Sequence, residues 1–362
     1  MFLAFGEIMM RVAPPGLLRF RQALPGAMEC TFGGGEANVC ASLAVFGRPV
    51  RYLTALPKHA IADSLVATLR GLGIDTSPIL RRDTGRLGLY FLEGGANQRS
   101  SKVIYDREHS AVSLAEPEEY DFDAALQGVT RLHVTGITPS LSEDAFKSTL
   151  ELVCRAKRGD VTVSCDLNFR KKLWRWRPGT DAASLARDCM SQILPFVDLV
   201  IGNEEDAEKV LGIAAKGTSV EHGRLDAAAY QAVARQVHGL FPNVRQVAIT
   251  LRESVSADHN NWGAMLLHAE ANKTFFAPLD EDGNYRPYEI RNIVDRVGAG
   301  DSFAAGLIYA LDSDDYADSA SAIRFAVAAS CLKHSIPGDM NYATLDEVRA
   351  LAAGQASGRV QR

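Results

Sequence analysis

The run Asp295-Arg-Val-Gly-Ala-Gly-Asp301, leading into Ser302-Phe-Ala-Ala-Gly306, combines residue types and a spacing suited to chemistry on an anion. Tyr288 to Val294 reads as a strand, and Phe303, Leu307, Ala310 and Leu311 fall on one helical face. Two glycines at a strand-to-helix turn leave the amides of Gly298, Ala299 and Gly300 uncovered at a helix N-terminus. Unpaired N–H groups and the helix dipole bind anions there, phosphoryl groups above all. A carboxylate at Asp301 repels such an anion unless it has a separate task, and taking a proton from an attacking hydroxyl is one. Helix capping is the plainer alternative, but capping alone does not call for Gly-Ala-Gly in front.

Three further clusters stand near element ends. Phe32-Gly-Gly-Gly-Glu-Ala-Asn38 precedes helix-period apolar positions that end at Gly47. Gly33, Gly34 and Gly35 permit close approach to the backbone, and Asn38 comes about one turn into the helix; a plain loop cluster reads equally well. Cys165-Asp-Leu-Asn-Phe-Arg170 alternates just past a strand, so Asp166, Asn168 and Arg170 project to one side. Its continuation through Lys171, Lys172, Trp174 and Arg175 reads as an amphipathic surface segment and not a nucleic-acid patch, because other basic clusters are lacking. In Leu199-Val-Ile-Gly-Asn203-Glu-Glu-Asp206 a strand gives way to a helix. Asn203 and Asp206 there either cap that helix or organise a hydrated Mg²⁺ near phosphates, capping having the better case on these residues alone.

These groups need a frame that brings them together. Short apolar β-type runs at 3–8, 50–56, 131–136, 161–166, 198–202 and 244–251 are mostly separated by helical stretches such as 37–46, 61–72 and 142–157. The alternation predicts an α/β fold with a mostly parallel sheet, helices on both faces, and ligands at the carboxyl ends of the strands. One stretch departs from it. The segments 87–93 and 102–107 read as a β-hairpin around Gly94-Gly-Ala-Asn97, a candidate lid.

At 362 residues the chain suits two domains or one large α/β domain with an appendage. A net charge of −5 argues against general affinity for nucleic acid or membrane surfaces. Met1-Phe-Leu-Ala-Phe-Gly-Glu7 has no basic region before its apolar stretch and reads as a first strand, not a signal peptide. No apolar run approaches the ~18 residues of a membrane span. The six cysteines are scattered without a C-x-x-C pair, so buried free thiols and a cytoplasmic location are expected.

Together these residues resemble the ribokinase-like (PfkB) sugar kinases over essentially the whole length. Gly34 to Asn38 matches that family's Gly-Gly-x-x-N pattern, Gly298 to Asp301 its Gly-Ala-Gly-Asp signature, and Asn203 to Asp206 its Asn-x-x-Glu motif with Asp in place of Glu. The similarity is sharper to the 2-keto-3-deoxygluconate kinase branch, through Gly33 to Val39, Val103 to Ala111, Cys165 to Asn168 with Arg170, Thr250 to Ser254, Asp295 to Val297 and Ser335 to Asp339. The resemblance implies a three-layer ribokinase-like sandwich over 1–352, with β lid segments at about 9–32 and 85–111, and a tail at 353–362.

It also implies ATP and Mg²⁺ as cofactors and phosphorylation of 2-keto-3-deoxygluconate to 2-keto-3-deoxy-6-phosphogluconate in sugar-acid catabolism. By the same resemblance Asp301 is the base on the sugar hydroxyl, and Gly298, Ala299 and Gly300 form the anion hole. Gly34, Gly35 and Asn38 hold sugar hydroxyls; Tyr90, Tyr105, Arg107 and Arg170 face the sugar acid. Asn168, Asn203, Thr250, Arg252 and the helix bearing Cys331 line the nucleotide site, and Asn203 and Asp206 serve the metal, Asp206 through water because it is shorter than Glu. The glycines common elsewhere after Thr250 are replaced by Arg252-Glu-Ser-Val-Ser-Ala-Asp-His-Asn260, so no single adenosine contact is assigned there.

With Tyr90, Val103, Tyr105 and Arg107 on the substrate face, Leu89, Phe91 and Ile104 point outward. A two-stranded unit is marginal alone, so this face is expected to pair with a second subunit in a homodimer or higher oligomer. Alternatives remain. A nicotinamide-dependent dehydrogenase wants G-x-G-x-x-G after the first strand, where Gly6-Glu-Ile-Met9 stands instead. A non-catalytic sugar-acid sensor has no use for Asp301, and a kinase of a neutral ketose such as fructose is the runner-up.

Overall fold

The computed structural model describes residues 1–203, 205–213, 227–316 and 318–355, so most of the expected tail lies outside the described residues. Among the described residues six strands run parallel, in the order Val50–Leu53, Phe2–Phe5, Arg131–Thr135, Thr162–Asp166, Leu199–Asn203 and Gln246–Ser256. His259–His268 and Lys273–Ala277 extend the sheet antiparallel. Side chains alternate across the sheet. Leu199 and Ile201 pack in one core with Phe303, Leu307 and Phe325, while Val200 packs in the other with Leu152, Leu185 and Val233. Burial on both faces is why the inner strands read as apolar runs. No helix among the described residues is long and apolar enough to cross a membrane.

Two helices, Ala299–Leu311 and Ser319–Lys333, lie almost wholly inside one core. Small residues bring them close: a side chain on Gly306 would meet the Ala326 Cα at 2.9 Å. Ser302 Oγ donates to the Ala329 carbonyl at 3.0 Å and Ser330 Oγ to the Ala299 carbonyl at 2.6 Å, which braces the start of the first helix against its neighbour. The segment before that helix differs from the direct strand-to-helix turn expected. Tyr288–Arg291 pairs antiparallel with the first part of His259–His268 and stops at Arg291; Asn292 then takes φ +56°. The intervening residues leave the sheet to reach a neighbouring layer.

The lid is larger than a hairpin. Leu89–Glu93 and Lys102–Asp106 pair antiparallel as expected, but they are half of a four-stranded sheet completed by Met9–Ala13 and Glu29–Gly33. Met9–Ala13 lies parallel to Leu89–Glu93 and antiparallel to Glu29–Gly33. Both added strands fall at about the 9–32 segment that the resemblance implies; Met9–Ala13 follows so closely on Phe2–Phe5 that the two merge in the apolar pattern, and Glu29–Gly33 runs straight into the glycine cluster.

Candidate active site

One cleft opens at the carboxyl ends of the parallel strands, between the main sheet and the lid. The helix Ala299–Leu311 points its N-terminus into it, with Gly298 in the left-handed region at φ +84°. A Cβ there would lie 1.9 Å from the Asp339 carbonyl oxygen, so both conformation and space require glycine. A Cβ on Gly300 would meet nothing within 4 Å, which leaves open room before the helix. The amides of Gly298, Ala299 and Gly300 find no acceptor among the described residues.

Asp301 is half-buried at the floor of this turn. Its Oδ2 accepts from Asn38 Nδ2 at 2.7 Å, while Oδ1 accepts no hydrogen bond among the described residues. Burial pushes the carboxyl up to about 6; the Asn38 bond works against that shift, the Asp339 charge adds to it, and Arg170 and Lys333 oppose it. Capping is not its role, since the helix start carries no side-chain cap. Asn38, expected on a sugar hydroxyl, is thus spent on orienting Asp301, and its Oδ1 accepts from the Gly34 amide at 3.3 Å.

The glycine cluster is explained largely by the protein itself. A Cβ on Gly33 would strike the Asp339 carboxylate at 2.1 Å, and one on Gly34 the Glu7 carbonyl at 2.2 Å. Gly35 alone of the three faces Asp301; a Cβ on it would lie 3.6 Å from Oδ1.

The lid contributes Tyr90, Val103, Tyr105 and Arg107 to the cleft wall, on the face expected. Two of them are already committed. The Tyr90 hydroxyl donates to Asp339 at 2.5 Å, and Asp339 and Asp295 flank Arg11 at 2.9 and 2.7 Å. Arg107 is buried and pairs with the buried Glu7 carboxylate. Arg170 is exposed, makes no ion pair among the described residues, and faces Asp166, Asp206 and Asp301, whose carboxyl groups its charge holds down against burial.

At the other end of the cleft lie Asn168, Asn203, Asp206, Thr250 and Arg252. Asn203 and Asp206 cap the helix Asp206–Leu211 reciprocally. The Asn203 side chain accepts from the Glu205 and Asp206 amides at 2.8 and 3.1 Å, and the Asp206 oxygens accept from the Phe169 and Asn203 amides, both at 3.0 Å. Burial raises the Asp206 carboxyl. The stretch after Thr250 forms no glycine-rich loop. It continues as strand through Ser256 and pairs back with residues 259–263.

Cys331 does not line the cleft. His334, one turn further, does so, edge-on to Trp262 at 5.3 Å, and burial lowers it to about 4 so that it is neutral. Trp262, Asn260, Arg296, Glu7 and Asp339 also reach the cleft without having been assigned roles from the sequence. Trp262 and Asn260 alternate along a strand, a signal shared with any half-buried strand. Glu7 follows directly on the first apolar run, where its polarity was the only signal. Lys333, fully buried beneath the turn, gives its ammonium to the Ile336 carbonyl at 3.0 Å, near Asp295 and Asp339.

The family model for pfkB family carbohydrate kinases matches residues 1–344. The 2-dehydro-3-deoxygalactonokinase of Haloferax volcanii is 30% identical over 356 residues, covering 98% of this chain and 97% of that protein. The 2-dehydro-3-deoxygluconokinase of Bacillus subtilis is 26% identical over 85% of this chain and 82% of its own. Among solved structures, 2-dehydro-3-deoxygluconokinase of Thermotoga maritima superposes with a TM-score of 0.86 at 41% identity, covering 98% of this chain and 99% of that one.

Proposed function

The chain belongs to the pfkB family of carbohydrate kinases, and from that premise we propose that it transfers the γ-phosphoryl group of ATP to the 6-hydroxyl of 2-keto-3-deoxygluconate. The observation that carries this reading is the meeting, in one cleft, of a carboxylate with a free oxygen, an uncapped helix N-terminus and the arginines Arg107 and Arg170. Phosphoryl transfer needs in-line positioning and stabilised charge more than covalent help.

Asp301 Oδ1 takes the proton from the acceptor hydroxyl, with Asn38 holding the carboxylate in orientation. The amides of Gly298, Ala299 and Gly300 and the helix dipole receive the charge on the phosphoryl oxygens. Arg107 and Arg170 face the acceptor's carboxylate, Tyr90 and Tyr105 wall the sugar, and Gly35 gives it room. Asn168, Asn203, Thr250 and Arg252 border the nucleotide, and Cys331 is left without a contact.

The open space beside Gly300 would accommodate phosphates. Among the described residues no group of three or more His, Cys, Asp or Glu could enclose a metal ion. Mg²⁺ keeps waters and uses few protein ligands. Asp206 would hold it through water, both its oxygens already accepting amide bonds. Bound ATP with Mg²⁺ supplies the phosphoryl group and neutralises part of its charge. We take residues 1–352 as one kinase unit with the lid inserted, acting in the cytoplasm.

The test is ADP release on adding 2-keto-3-deoxygluconate, its galactonate epimer or fructose. At least one acid is expected to exceed fructose in kcat/KM by tenfold or more. Preference for fructose would replace this reading with that of a neutral-ketose kinase.

A further inference from the structure

Glu7 follows the first strand of the main sheet and precedes the first strand of the lid, at the crossing between the two. Its backbone is fixed there, because the Gly34 Cα packs against its carbonyl closely enough to exclude a Cβ. Its side chain is 2% exposed and pairs with Arg107, whose side chain is 7% exposed and sits one residue past the outermost lid strand. The pair therefore ties the far end of the lid to the main sheet across 100 positions of sequence. Gly88 is moulded to it: a Cβ there would lie 2.8 Å from Glu7 Oε1 and 3.4 Å from the Arg107 Cβ. Tyr105 covers the guanidinium, with Cζ 5.6 Å from its ring centre.

Only part of the guanidinium is used in this arrangement. Nη2 bonds Glu7 and Nε is shut off from solvent, whereas Nη1 makes no hydrogen bond among the described residues and is not buried. Both residues line the cleft. A buried arginine without a counter-ion is strongly disfavoured and would turn outward to water. With Glu7 in place, the charge stays in the wall and its free edge faces the ligand.

We propose that Glu7 is a positioning residue that pins Arg107 in the cleft wall, so that the acceptor's carboxylate meets a cation already in place. The proposal rests on the reading that Arg107 binds that carboxylate. Glu7 touches no reacting atom; it acts through the guanidinium, whose free Nη1 can then donate to the ligand without the side chain first losing rotamer freedom.

Glu7→Ala, Glu7→Gln, Arg107→Ala and the double Glu7→Ala/Arg107→Ala decide it, with KM for the sugar acid, KM for ATP and kcat measured on folded protein. Glu7→Ala should raise KM for the acid on the order of tenfold, with kcat and KM for ATP within a few-fold. Glu7→Gln, whose amide oxygen accepts the same N–H bond but supplies no counter-charge, should recover only part of the loss. The double variant should be no worse than Arg107→Ala, because the two residues act as one unit. If Glu7→Ala fails to fold, Glu7→Asp serves: a shorter carboxylate draws the guanidinium back, and KM for the acid should rise several-fold. An unchanged or lowered acid KM in Glu7→Ala or Glu7→Asp, or additive losses in the double variant, overturns the proposal while leaving the role of Arg107 intact. An unchanged acid KM in Arg107→Ala overturns both.

Discussion

At the helix end of the cleft the groups proposed to bind an anion are the amides of three consecutive residues, Gly298 to Gly300. At the lid end the cation in the cleft wall is a side chain, Arg107, held by a carboxylate 100 positions away in sequence, and Arg11 of the lid, outside the cleft lining, is likewise held by Asp339, 328 positions away. The first arrangement needs no partner, because helix geometry leaves its donors unpaired. The second must be assembled by the tertiary fold, and each buried charge in it depends on a counter-ion. A backbone site is therefore damaged by a change of shape, and a side-chain site by the loss of a distant partner.

The largest effect is expected at Asp301, where the two ends meet. Asp301→Asn keeps size and the contact with Asn38 but removes the proton acceptor. We expect kcat to fall ~10²–10⁴-fold with KM for both substrates nearly unchanged, and turnover within a few-fold of wild type would return Asp301 to a structural role. Gly298→Ala should come next. It forces a Cβ onto the Asp339 carbonyl and strains φ +84°, displacing the turn. A loss of roughly 10²–10³ in kcat is expected, the range for losing one charge-stabilising donor. Wild-type kcat would mean that the turn does not hold the phosphoryl group.

The proton acceptor also sets a pH dependence. The Asp301 carboxyl is raised to about 6, so its basic form prevails above that value and is lost as pH falls through it. kcat/KM should decline below pH 6 by about tenfold per unit, and Asp301→Asn should lose that limb. A flat profile down to pH 5 would remove Asp301 from proton transfer.

The contrast between the two ends matches what could be read from the residues alone. The parallel strands, the anion turn, the lid hairpin and most of the cleft-lining residues were legible because each is local: a period, a glycine pair, a polar residue at a strand end. Asn38 on Asp301, Glu7 on Arg107 and Tyr90 on Asp339 were not. Nothing in a neighbouring residue marks a pairing made by the fold. Asn203 and Asp206 satisfied two readings at once, and the reciprocal capping visible in the structure is the local one. Cys331 was placed a turn away from His334, the residue that reaches the cleft, since a helix pattern gives a face but not its depth.

The smallest effect on turnover is expected from association. Every residue of Lys102–Asp106 is exposed along an edge of the lid sheet, with Ile104 at 56%. Unpaired edges with apolar side chains favour pairing with another copy. Leu89 and Phe91 are already half-covered, so Ile104 carries most of the exposed outer face. Sedimentation should show a dimer or larger species at micromolar concentration, and Ile104→Arg should shift it toward monomer with kcat within a few-fold of wild type. A wild-type monomer with full activity would remove the lid from assembly.

The account stands most directly on how Arg107 divides its effect between acid and neutral acceptors. The measurement is the ratio of kcat/KM for 2-keto-3-deoxygluconate to that for fructose, in wild type and in Arg107→Ala, where any loss of folded enzyme cancels. A charged hydrogen-bonded contact contributes on the order of 1.5–3 kcal/mol, so the ratio should fall by roughly 10- to 100-fold. A ratio that stays the same, with both substrates losing equally, would mean that Arg107 only braces the lid and that the lid end of the cleft does not read the acid.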